Sequence, residues 1–339
     1  MGIESSKERS RRNASINYAG WRSDALEDVP SILGGSVHSL CAKEQSILVT
    51  GGEDQIVVVY DWTKHIVCSR LGGPRKCITK VSCNDSGTGL VHAGSRDHLI
   101  YGWNYVLETH SQAVTGLASS KIHSHSLCSG GRDTVLCLWD LPTKRCVARM
   151  DMQRNLVTDM CWLDPEMAVL QASEDLTLKV WDLRTAAMVQ QFAPKLNILT
   201  CCAVSRDGNY FLSGTNGCGG SSELTLWDRR TGKALMEYRG HSEGVQGCVF
   251  METSTRNTAY QELVVSCSND RTVRIWSRDD GACLHTHHVD GAGPVTAVVS
   301  PSKDSLACST FYRGVSVWSL LLAEKEGKEQ YSLGLRASY

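Results

Sequence analysis

Apolar and polar residues alternate over short stretches of this chain, and small polar residues separate one stretch from the next. In Thr272–Trp276 the apolar residues Val273 and Ile275 alternate with polar ones, and Asn269-Asp270 separate this stretch from the apolar stretch Leu263–Ser268. A period of two predicts half-buried strands joined by tight turns. The unit ends in an aromatic residue followed by a small polar one, and such pairs occur seven times: Tyr60-Asp61, Trp103-Asn104, Trp139-Asp140, Trp181-Asp182, Trp227-Asp228, Trp276-Ser277 and Trp318-Ser319.

The seven pairs recur at a nearly constant spacing. From Tyr60 to Trp318 is 258 residues over six intervals, a mean of 43 residues per repeat. Repeats of roughly 40–45 residues with this aromatic pair are typical of the four-stranded blades of WD-type propellers. The sequence therefore predicts an all-β protein, a seven-bladed WD-repeat β-propeller.

The span of the repeats suggests three segments. Residues 26–322 are expected to form the propeller, residues 1–25 a flexible basic tail, and residues 323–339 a C-terminal tail that could supply a closing strand. Blade 7 needs an outer strand, which either Leu26–Leu33 or Gln330–Leu335 could provide. We favour the N-terminal segment, because it would clasp the two ends of the chain together.

Blade 2 is shorter than the other repeats. Thr115 follows Trp103 by 12 residues, whereas Thr158 follows Trp139 by 19. The difference equals roughly one strand and its turn, so the outer strand of blade 2 is predicted to be truncated. Such a gap would leave a strand edge open to a partner strand, or it would reflect alternative splicing or an error in the gene model. Both interpretations fit the sequence.

Two blades carry residues that could form an internal hydrogen-bond network. A His, a Ser, an Asp and a Trp recur at matched positions: His110, Ser129, Asp133 and Trp139 in blade 3, and His241, Ser266, Asp270 and Trp276 in blade 6. A His–Asp–Ser set also describes a serine hydrolase triad. Because the set recurs with the repeat, we interpret it as a structural tetrad inside each blade. No catalytic residue is predicted.

Composition argues against several classes of function. The formal net charge of the 339 residues is −1, so no overall field attracts nucleic acid. No apolar run approaches the roughly 18 residues of a membrane span, and Met1–Arg12 has no signal-peptide core. The 15 cysteines include no CxxC pair, which favours reduced, largely buried thiols in a cytoplasmic protein. No metal site and no cofactor are expected.

The first residues match a lipidation motif. Met1-Gly2-Ile3-Glu4-Ser5-Ser6-Lys7 fits M-G-x-x-x-[ST], which predicts myristoylation of Gly2. One myristoyl chain gives only marginal membrane binding, so a second signal is needed. The basic residues Lys7, Arg9, Arg11 and Arg12 would supply it at an anionic membrane surface. We therefore expect reversible, peripheral attachment.

A basic cluster is predicted on one face of the ring. The loops at this face carry Arg75, Lys76, Arg96, Arg132 and Arg154. Together they could bind an acidic peptide or a phosphoinositide head group. An Arg before the turn Asp is also common in such repeats as a simply solvated residue.

Three kinds of function are compatible with such a fold. A non-enzymatic protein-interaction scaffold, tethered to a membrane, is favoured. An enzyme in the central channel is disfavoured, because the sequence holds no metal-ligand set, nucleophile elbow or Walker motif. The third is a cytosolic adaptor without a membrane role, such as a substrate receptor of a ubiquitin ligase.

Several stretches resemble the WD-repeat propeller family more specifically than the repeat period does. They are Arg154–Trp162, Ser173–Asp182, Asn216–Ser222 with Leu226-Trp227-Asp228, and Asp280–Leu284 with Asp290–Pro294. With the motif at residues 1–7, they are similar to non-enzymatic ciliary members of that family. The resemblance implies a role in cilium assembly at the cilium or its base. The implied partners are intraflagellar transport or BBSome-associated factors and GTPase-activating proteins.

Overall fold

The polypeptide forms seven antiparallel sheets of four strands each. The structure is a computed structural model in which the described strands number 28, and no helix there is long and apolar enough to cross a membrane. Each sheet is one continuous stretch of chain, so each is one blade. The described residues are 35–43, 45–84, 90–102, 104–217, 219–220, 222–253, 261–289, 293–312, 314–325 and 328–338.

The strands of each blade follow one another from the axis of the ring to its circumference. Blade 1 holds β1 (Val37–Lys43), β2 (Ile47–Gly52), β3 (Ile56–Asp61) and β4 (Ile66–Gly72). Blade 2 holds β5 (Ile78–Cys83), β6 (Val91–Ser95), β7 (Leu99–Gly102) and β8 (Tyr105–Glu108). Blade 3 holds β9 (Val114–Ser119), β10 (Ser126–Gly131), β11 (Val135–Asp140) and β12 (Arg145–Asp151). Blade 4 holds β13 (Val157–Trp162), β14 (Ala168–Ser173), β15 (Leu178–Asp182) and β16 (Ala187–Gln191).

The remaining three blades continue the same order. Blade 5 holds β17 (Leu199–Val204), β18 (Tyr210–Thr215), β19 (Glu223–Asp228) and β20 (Ala234–Arg239). Blade 6 holds β21 (Val245–Thr253), β22 (Gln261–Ser268), β23 (Thr272–Ser277) and β24 (Cys283–His288). Blade 7 holds β25 (Val295–Val299), β26 (Ser305–Thr310), β27 (Gly314–Lys325) and β28 (Lys328–Ser338). The first strands contact one another in turn, and β25 contacts β1. The predicted seven-bladed β-propeller is confirmed.

The core lies between the blades. The middle strands are apolar on both faces because each blade is covered by a neighbour on either side. Val49 and Val57 of blade 1, for example, pack in one cluster with Ile78 and Val81 of blade 2. The outermost strands alternate instead: β16 is exposed at every second residue. We call the end of the ring at which the first strands begin the entry face; the turns between second and third strands lie at the same end.

The predicted turn aspartates set the geometry at the entry face. In five blades the side chain of this Asp accepts a hydrogen bond from the backbone N–H two residues later, over 2.9–3.4 Å. The residue between them has a positive φ of 63–77°. This is an Asx-type turn, which satisfies a backbone donor and fixes a tight connection. The aspartates are Asp54, Asp97, Asp133, Asp175 and Asp270.

The Asp of the aromatic pair serves the turn at the opposite end of the ring. The Asp61 carboxylate accepts hydrogen bonds from the backbone N–H groups of Thr63 and Lys64, both at 3.1 Å. Asp182 accepts one from Arg184 N at 2.8 Å. The aromatic residue packs between blades while its neighbour closes the turn between third and fourth strands, so the pair marks a blade for two separate reasons.

Blade 2 keeps a fourth strand, which is shorter than its counterparts, as the predicted truncation requires, although the strand is not lost as a whole. β7 and β8 have four residues each, whereas β11 and β12 have six and seven. Gly102 pairs with Tyr105, so only two residues connect the strands. The chain shortens both strands and their turn together, which preserves antiparallel pairing throughout. Trp103, whose spacing suggested the deletion, lies outside the described residues.

The fourth strand of blade 7 comes from the C-terminal segment, so our preference for Leu26–Leu33 in this role is wrong. β28 pairs antiparallel with β27, from Lys325↔Lys328 to Ser316↔Ser338. A hairpin between adjacent segments closes a much shorter loop than pairing with the other end of the chain, and therefore loses less entropy. The expected boundary at residue 322 falls inside β27. Leu26–Leu33 lies outside the described residues.

In the described part of the chain, blades 7 and 1 close the ring through apolar packing and a hydrogen bond between their first strands. The Thr296 hydroxyl donates to Val37 O across this junction at 2.6 Å. Tyr60 of blade 1 packs in a cluster with Ala307 and Val317 of blade 7. Equivalent threonines in blades 2, 3 and 5 donate to the first strand of the next blade: Thr79 to Val114 O, Thr115 to Val157 O and Thr200 to Val245 O.

The cysteines of the described part carry free thiols. Cys128, Cys137, Cys248 and Cys267 are buried in the core, and burial raises the pKa of Cys267. A buried thiol with a raised pKa behaves as a small apolar side chain. Among the described residues no cluster of three or more His, Cys, Asp or Glu is arranged to hold a metal ion.

Candidate functional site: the entry face

The structure brings the four tetrad residues of blade 3 together. His110 Nε2 lies 2.8 Å from Ser129 Oγ, and its Nδ1 lies 3.0 Å from both carboxylate oxygens of Asp133. Trp139 Nε1 donates to Ser129 Oγ at 2.8 Å. Burial would raise the pKa of Asp133, but the hydrogen bonds from His110 and the backbone outweigh it and lower the pKa. The network joins β10, β11, the turn between them and the loop that enters the blade.

Blade 6 repeats the arrangement. His241 bridges Asp270 Oδ2 and Ser266 Oγ, both at 2.8 Å, and Trp276 Nε1 donates to Ser266 Oγ at 2.9 Å. The connectivity Ser–His–Asp matches a hydrolase triad. However, the Ser129 and Ser266 side chains are fully buried, and each hydroxyl oxygen already accepts a hydrogen bond from a tryptophan N–H. A substrate carbonyl cannot reach either oxygen, so the two tetrads stabilise their blades.

Blade 4 contains a third network that our sequence analysis missed. Trp181 Nε1 donates to Gln171 Oε1 at 2.7 Å, and Gln171 Nε2 donates to Asn155 Oδ1 at 2.7 Å. The Lys179 ammonium, 1% exposed, bonds Asn155 Oδ1 and Asp175. Gln171 precedes Asp175 by four residues and Trp181 by ten, as Ser129 precedes Asp133 and Trp139. That spacing was the signal available in the sequence.

The other blades retain parts of the network. In blade 5, Trp227 Nε1 donates to Ser213 Oγ at 2.9 Å, while the glycine-rich segment 214–222 replaces the Asp turn. In blade 2, His92 Nε2 lies 2.6 Å from Tyr105 Oη, and both side chains are buried. Burial lowers the pKa of His92 to about 4, which keeps the ring neutral at physiological pH.

An ion pair crosses the ring from blade 2 to blade 4. Lys80 Nζ lies 2.5 Å from Asp159 Oδ1, although 79 residues separate them. Each is the third residue of its first strand, and the intervening β9 carries Gly116 at that position. Asp159 also accepts hydrogen bonds from the backbone N–H of Met160 at 2.8 Å and of Cys202 at 3.2 Å. The pair therefore ties three blades at the level of the inner strands.

All five predicted partner-binding residues lie on the entry face and are exposed. They lie in the loop before β5, the turn between β6 and β7, the turn between β10 and β11, and the loop before β13. Blades 2, 3 and 4 are neighbours, so the residues form one band, which we call the basic rim: Arg75, Lys76, Arg96, Arg132 and Arg154.

One member of the basic rim is already paired. Arg132 Nη1 lies 2.6 Å from Glu174 Oε1 of blade 4. Within the described residues the other four make no salt bridge. Glu53 and Asp54 of blade 1 border the band. The rim therefore presents five cationic side chains toward solvent, with the carboxylates Asp97 and Asp133 in the same turns and Glu108 at the end of β8.

A groove adjoins the basic rim between blades 1 and 2. Its volume is about 630 Å³. Ile56, Pro74, Leu99 and Val106 contribute apolar surface, and Arg75 lies at its edge. The short strands of blade 2 leave this space beside blade 1. The lipidation residues Gly2, Lys7, Arg9, Arg11 and Arg12 lie outside the described residues.

Comparison with known families agrees with this architecture. Residues 105–140 and 232–277 match the family model described as "WD domain, G-beta repeat". These two segments contain the complete tetrads of blades 3 and 6. The fold is a seven-bladed β-propeller, and two of its segments match WD40 repeats. Propellers with WD40 repeats generally act as non-enzymatic protein-interaction scaffolds.

Curated relatives are similar at low identity. Human pre-mRNA-processing factor 17 is 26% identical over 213 residues, which cover 61% of this chain and 34% of the relative. Nuclear distribution protein nudF of Aspergillus niger is 22% identical over 298 residues, covering 77% and 66%. WD repeat-containing protein 18 of Bos taurus is 26% identical over 285 residues, covering 78% and 64%. The chain thus spans about a third to two thirds of the length of these relatives.

Proposed function

We propose that this protein is a non-enzymatic scaffold that binds an acidic segment of a partner protein through the basic rim. The observation that supports this most directly is the band of exposed cationic side chains on three adjacent blades. Arginine side chains bind carboxylates through paired, charge-assisted hydrogen bonds. Four of the five make no salt bridge within the described residues, so binding would not require breaking an internal ion pair.

The backbone beneath the basic rim is fixed, which favours binding. Arg96 N donates to Cys77 O at 3.0 Å, and Arg132 N donates to Ala113 O at 2.9 Å. Arg75 N donates to Asp97 Oδ2 at 2.8 Å. Because the Cα positions are already set, a partner has to order only the side chains, and this reduces the entropic cost of association.

Charge reversal tests this function. We expect Arg96→Glu/Arg132→Glu to lose partners with acidic segments from the set identified by proximity labelling in ciliated cells. The matched control is Arg145→Glu/Arg230→Glu, which reverses two exposed arginines at turns of the opposite face. An unchanged set of labelled proteins in the rim variant would refute the basic rim as the binding surface.

A second proposal concerns the membrane. It rests on the motif at residues 1–7 and on the basic residues Lys7, Arg9, Arg11 and Arg12. Myristate at Gly2 and these charges would together give weak, reversible attachment to an anionic membrane. Flotation with phosphatidylserine vesicles should recover the acylated protein and not Gly2→Ala. Equal flotation of both would contradict the anchor.

The proposed site of action is the cilium or its base. This proposal is supported only by the resemblance to ciliary WD-repeat proteins. Imaging of the tagged protein in ciliated cells, with Gly2→Ala for comparison, tests both the location and its dependence on the anchor. A diffuse cytoplasmic signal for both proteins would favour the adaptor without a membrane role.

A further inference from the structure

We infer that the interaction surface continues beyond the basic rim into an apolar part on blades 4 and 5, centred on Leu196. The partner it fits is a segment that carries carboxylates at one end and bulky apolar side chains at the other. This inference rests on the proposed function, because it extends the same binding surface. We call Leu176, Leu196 and Ile198 the apolar rim.

Leu196 is the most exposed large apolar side chain in the part of the chain that the structure describes. It is 95% exposed, and Ile198 beside it is 39% exposed. Other exposed apolar residues, such as Val147, Val189 and Leu235, lie on outermost strands at the circumference, where alternation turns them outward. Leu196 instead lies in the loop that enters blade 5, on the entry face.

The loop that carries Leu196 is held at both ends. Lys195 N donates to Leu176 O at 2.9 Å, and Asn216 N donates to Ile198 O at 2.9 Å. The Lys195 ammonium lies 2.5 Å from Glu223 and 2.8 Å from Glu237, and 5.6 Å from the centre of the Trp227 ring. A fixed loop that presents an exposed leucine is suited to act as an anchor, because little further ordering is needed on binding.

Direct contacts connect the apolar rim to the basic rim. Leu176 bonds the Lys195 backbone, and Glu174, two residues earlier, bonds Arg132 at 2.6 Å. The Glu174 N–H also donates to Leu156 O at 3.0 Å, two residues after Arg154. The surface is therefore continuous from blade 3 to blade 5.

Charge changes along this surface. Around Leu196 the cations Lys195 and Arg239 are matched by Glu223 and Glu237. The cations that make no salt bridge within the described residues lie on the entry face of blades 2 and 4. A bound segment should therefore place its carboxylates over the basic rim and its apolar side chains against Leu196. A wholly acidic or wholly apolar segment would satisfy only half of the surface.

Peptide display tests this directly. The probe is a phage library of short peptides with Asp or Glu fixed in one half and random residues in the other half, and a second library has Lys in place of the acids. Selected acidic peptides should carry an apolar cluster at one end. We expect Leu196→Asp to weaken their binding about tenfold or more by calorimetry, and Val189→Asp, on β16 of blade 4, to leave it unchanged.

The outcomes separate the two proposals. If Leu196→Asp binds the peptides as well as wild type while Arg96→Glu/Arg132→Glu does not, the apolar rim is refuted and the basic rim stands. If neither variant weakens binding, or if the Lys library is enriched instead, both are refuted. Because Leu196 makes almost no internal contact, an unchanged melting temperature should accompany Leu196→Asp, and a lowered one would itself contradict its assigned exposure.

Discussion

A single serine hydroxyl joins the hydrogen-bond network of each complete tetrad. Ser129 Oγ is bonded to both His110 and Trp139, and Ser266 Oγ to both His241 and Trp276. In blade 5 the corresponding Ser213 accepts from Trp227. The number of buried groups that depend on the hydroxyl therefore differs between blades.

Serine-to-alanine substitutions should reflect that difference. Ser129→Ala and Ser266→Ala each leave a buried Trp N–H and a buried His nitrogen without a partner, which should cost about 3 kcal/mol of unfolding free energy. Ser213→Ala leaves only the indole N–H and should cost about 1.5 kcal/mol. Urea unfolding of the three variants measures this, and equal losses would contradict the assigned roles.

His92 should make stability sensitive to mild acid. Its pKa is lowered from 6.5 to about 4 by burial, so between these pH values the unfolded state binds a proton that the folded state excludes. Stability is therefore complete above pH 6.5 and falls as pH drops toward 4, by about 3 kcal/mol at most. His92→Gln should lose this part of the pH dependence in urea titrations. A wild-type slope retained in the variant would assign it to other groups.

Residue types limit what the sequence can reveal about such networks. The tetrads of blades 3 and 6 were predictable because their residues match a known set. Blade 4 builds the same geometry from Gln171, Asn155 and Lys179, and residue identity alone gave no warning. Only the distances along the chain to Asp175 and Trp181 were conserved between blades.

At the scale of elements, spacing gave the number of blades but not how each one is built. The interval after Trp103 showed that blade 2 lacks about seven residues relative to blade 3. Loss of a whole strand and shortening of two strands remove the same number of residues. Backbone hydrogen bonding favours the shortening of two strands, because each residue that remains in a strand keeps its partner on the neighbouring strand. Similarly, two segments were able to pair with blade 7, and loop length rather than composition decided between them.

The short β8 should open more readily than its counterparts. It has four residues, and its neighbour β7 has four, so few ladder bonds hold it. Local opening free energy falls as buried contacts and hydrogen bonds decrease. Hydrogen exchange should therefore be faster in peptides covering 104–108 than in those covering 145–151 of β12. Equal protection would show that the neighbouring blades hold β8 in place.

At the scale of the whole molecule, the ion pair across the ring couples blades that do not touch as neighbours. Burial alone would lower the pKa of Lys80, but the Asp159 charge outweighs it and raises the pKa. The Lys80 side chain is 29% exposed and that of Asp159 is 8% exposed. Removing one charge leaves the other poorly solvated, which is costly for a partly buried pair.

A double-mutant cycle should detect this coupling. We expect Lys80→Met and Asp159→Asn each to cost about 2 kcal/mol, and the double variant to cost clearly less than their sum. Urea unfolding supplies the free energies. Exact additivity would mean that the two side chains contribute independently and that the contact does not stabilise the ring.

Every blade, including the first and the last, is built from four strands that follow one another along the chain, so the blades could be encoded in a different order. Gly35 lies beside the turn at Glu53 and Asp54, and Ser338 pairs with Ser316, so both ends of the described chain are at the entry face of neighbouring blades. A short linker between them and a new opening before β13 would produce a circular permutant with the same seven sheets. In such a permutant the Thr296–Val37 junction would become an internal connection, while the cut would fall beside Arg154 on the basic rim.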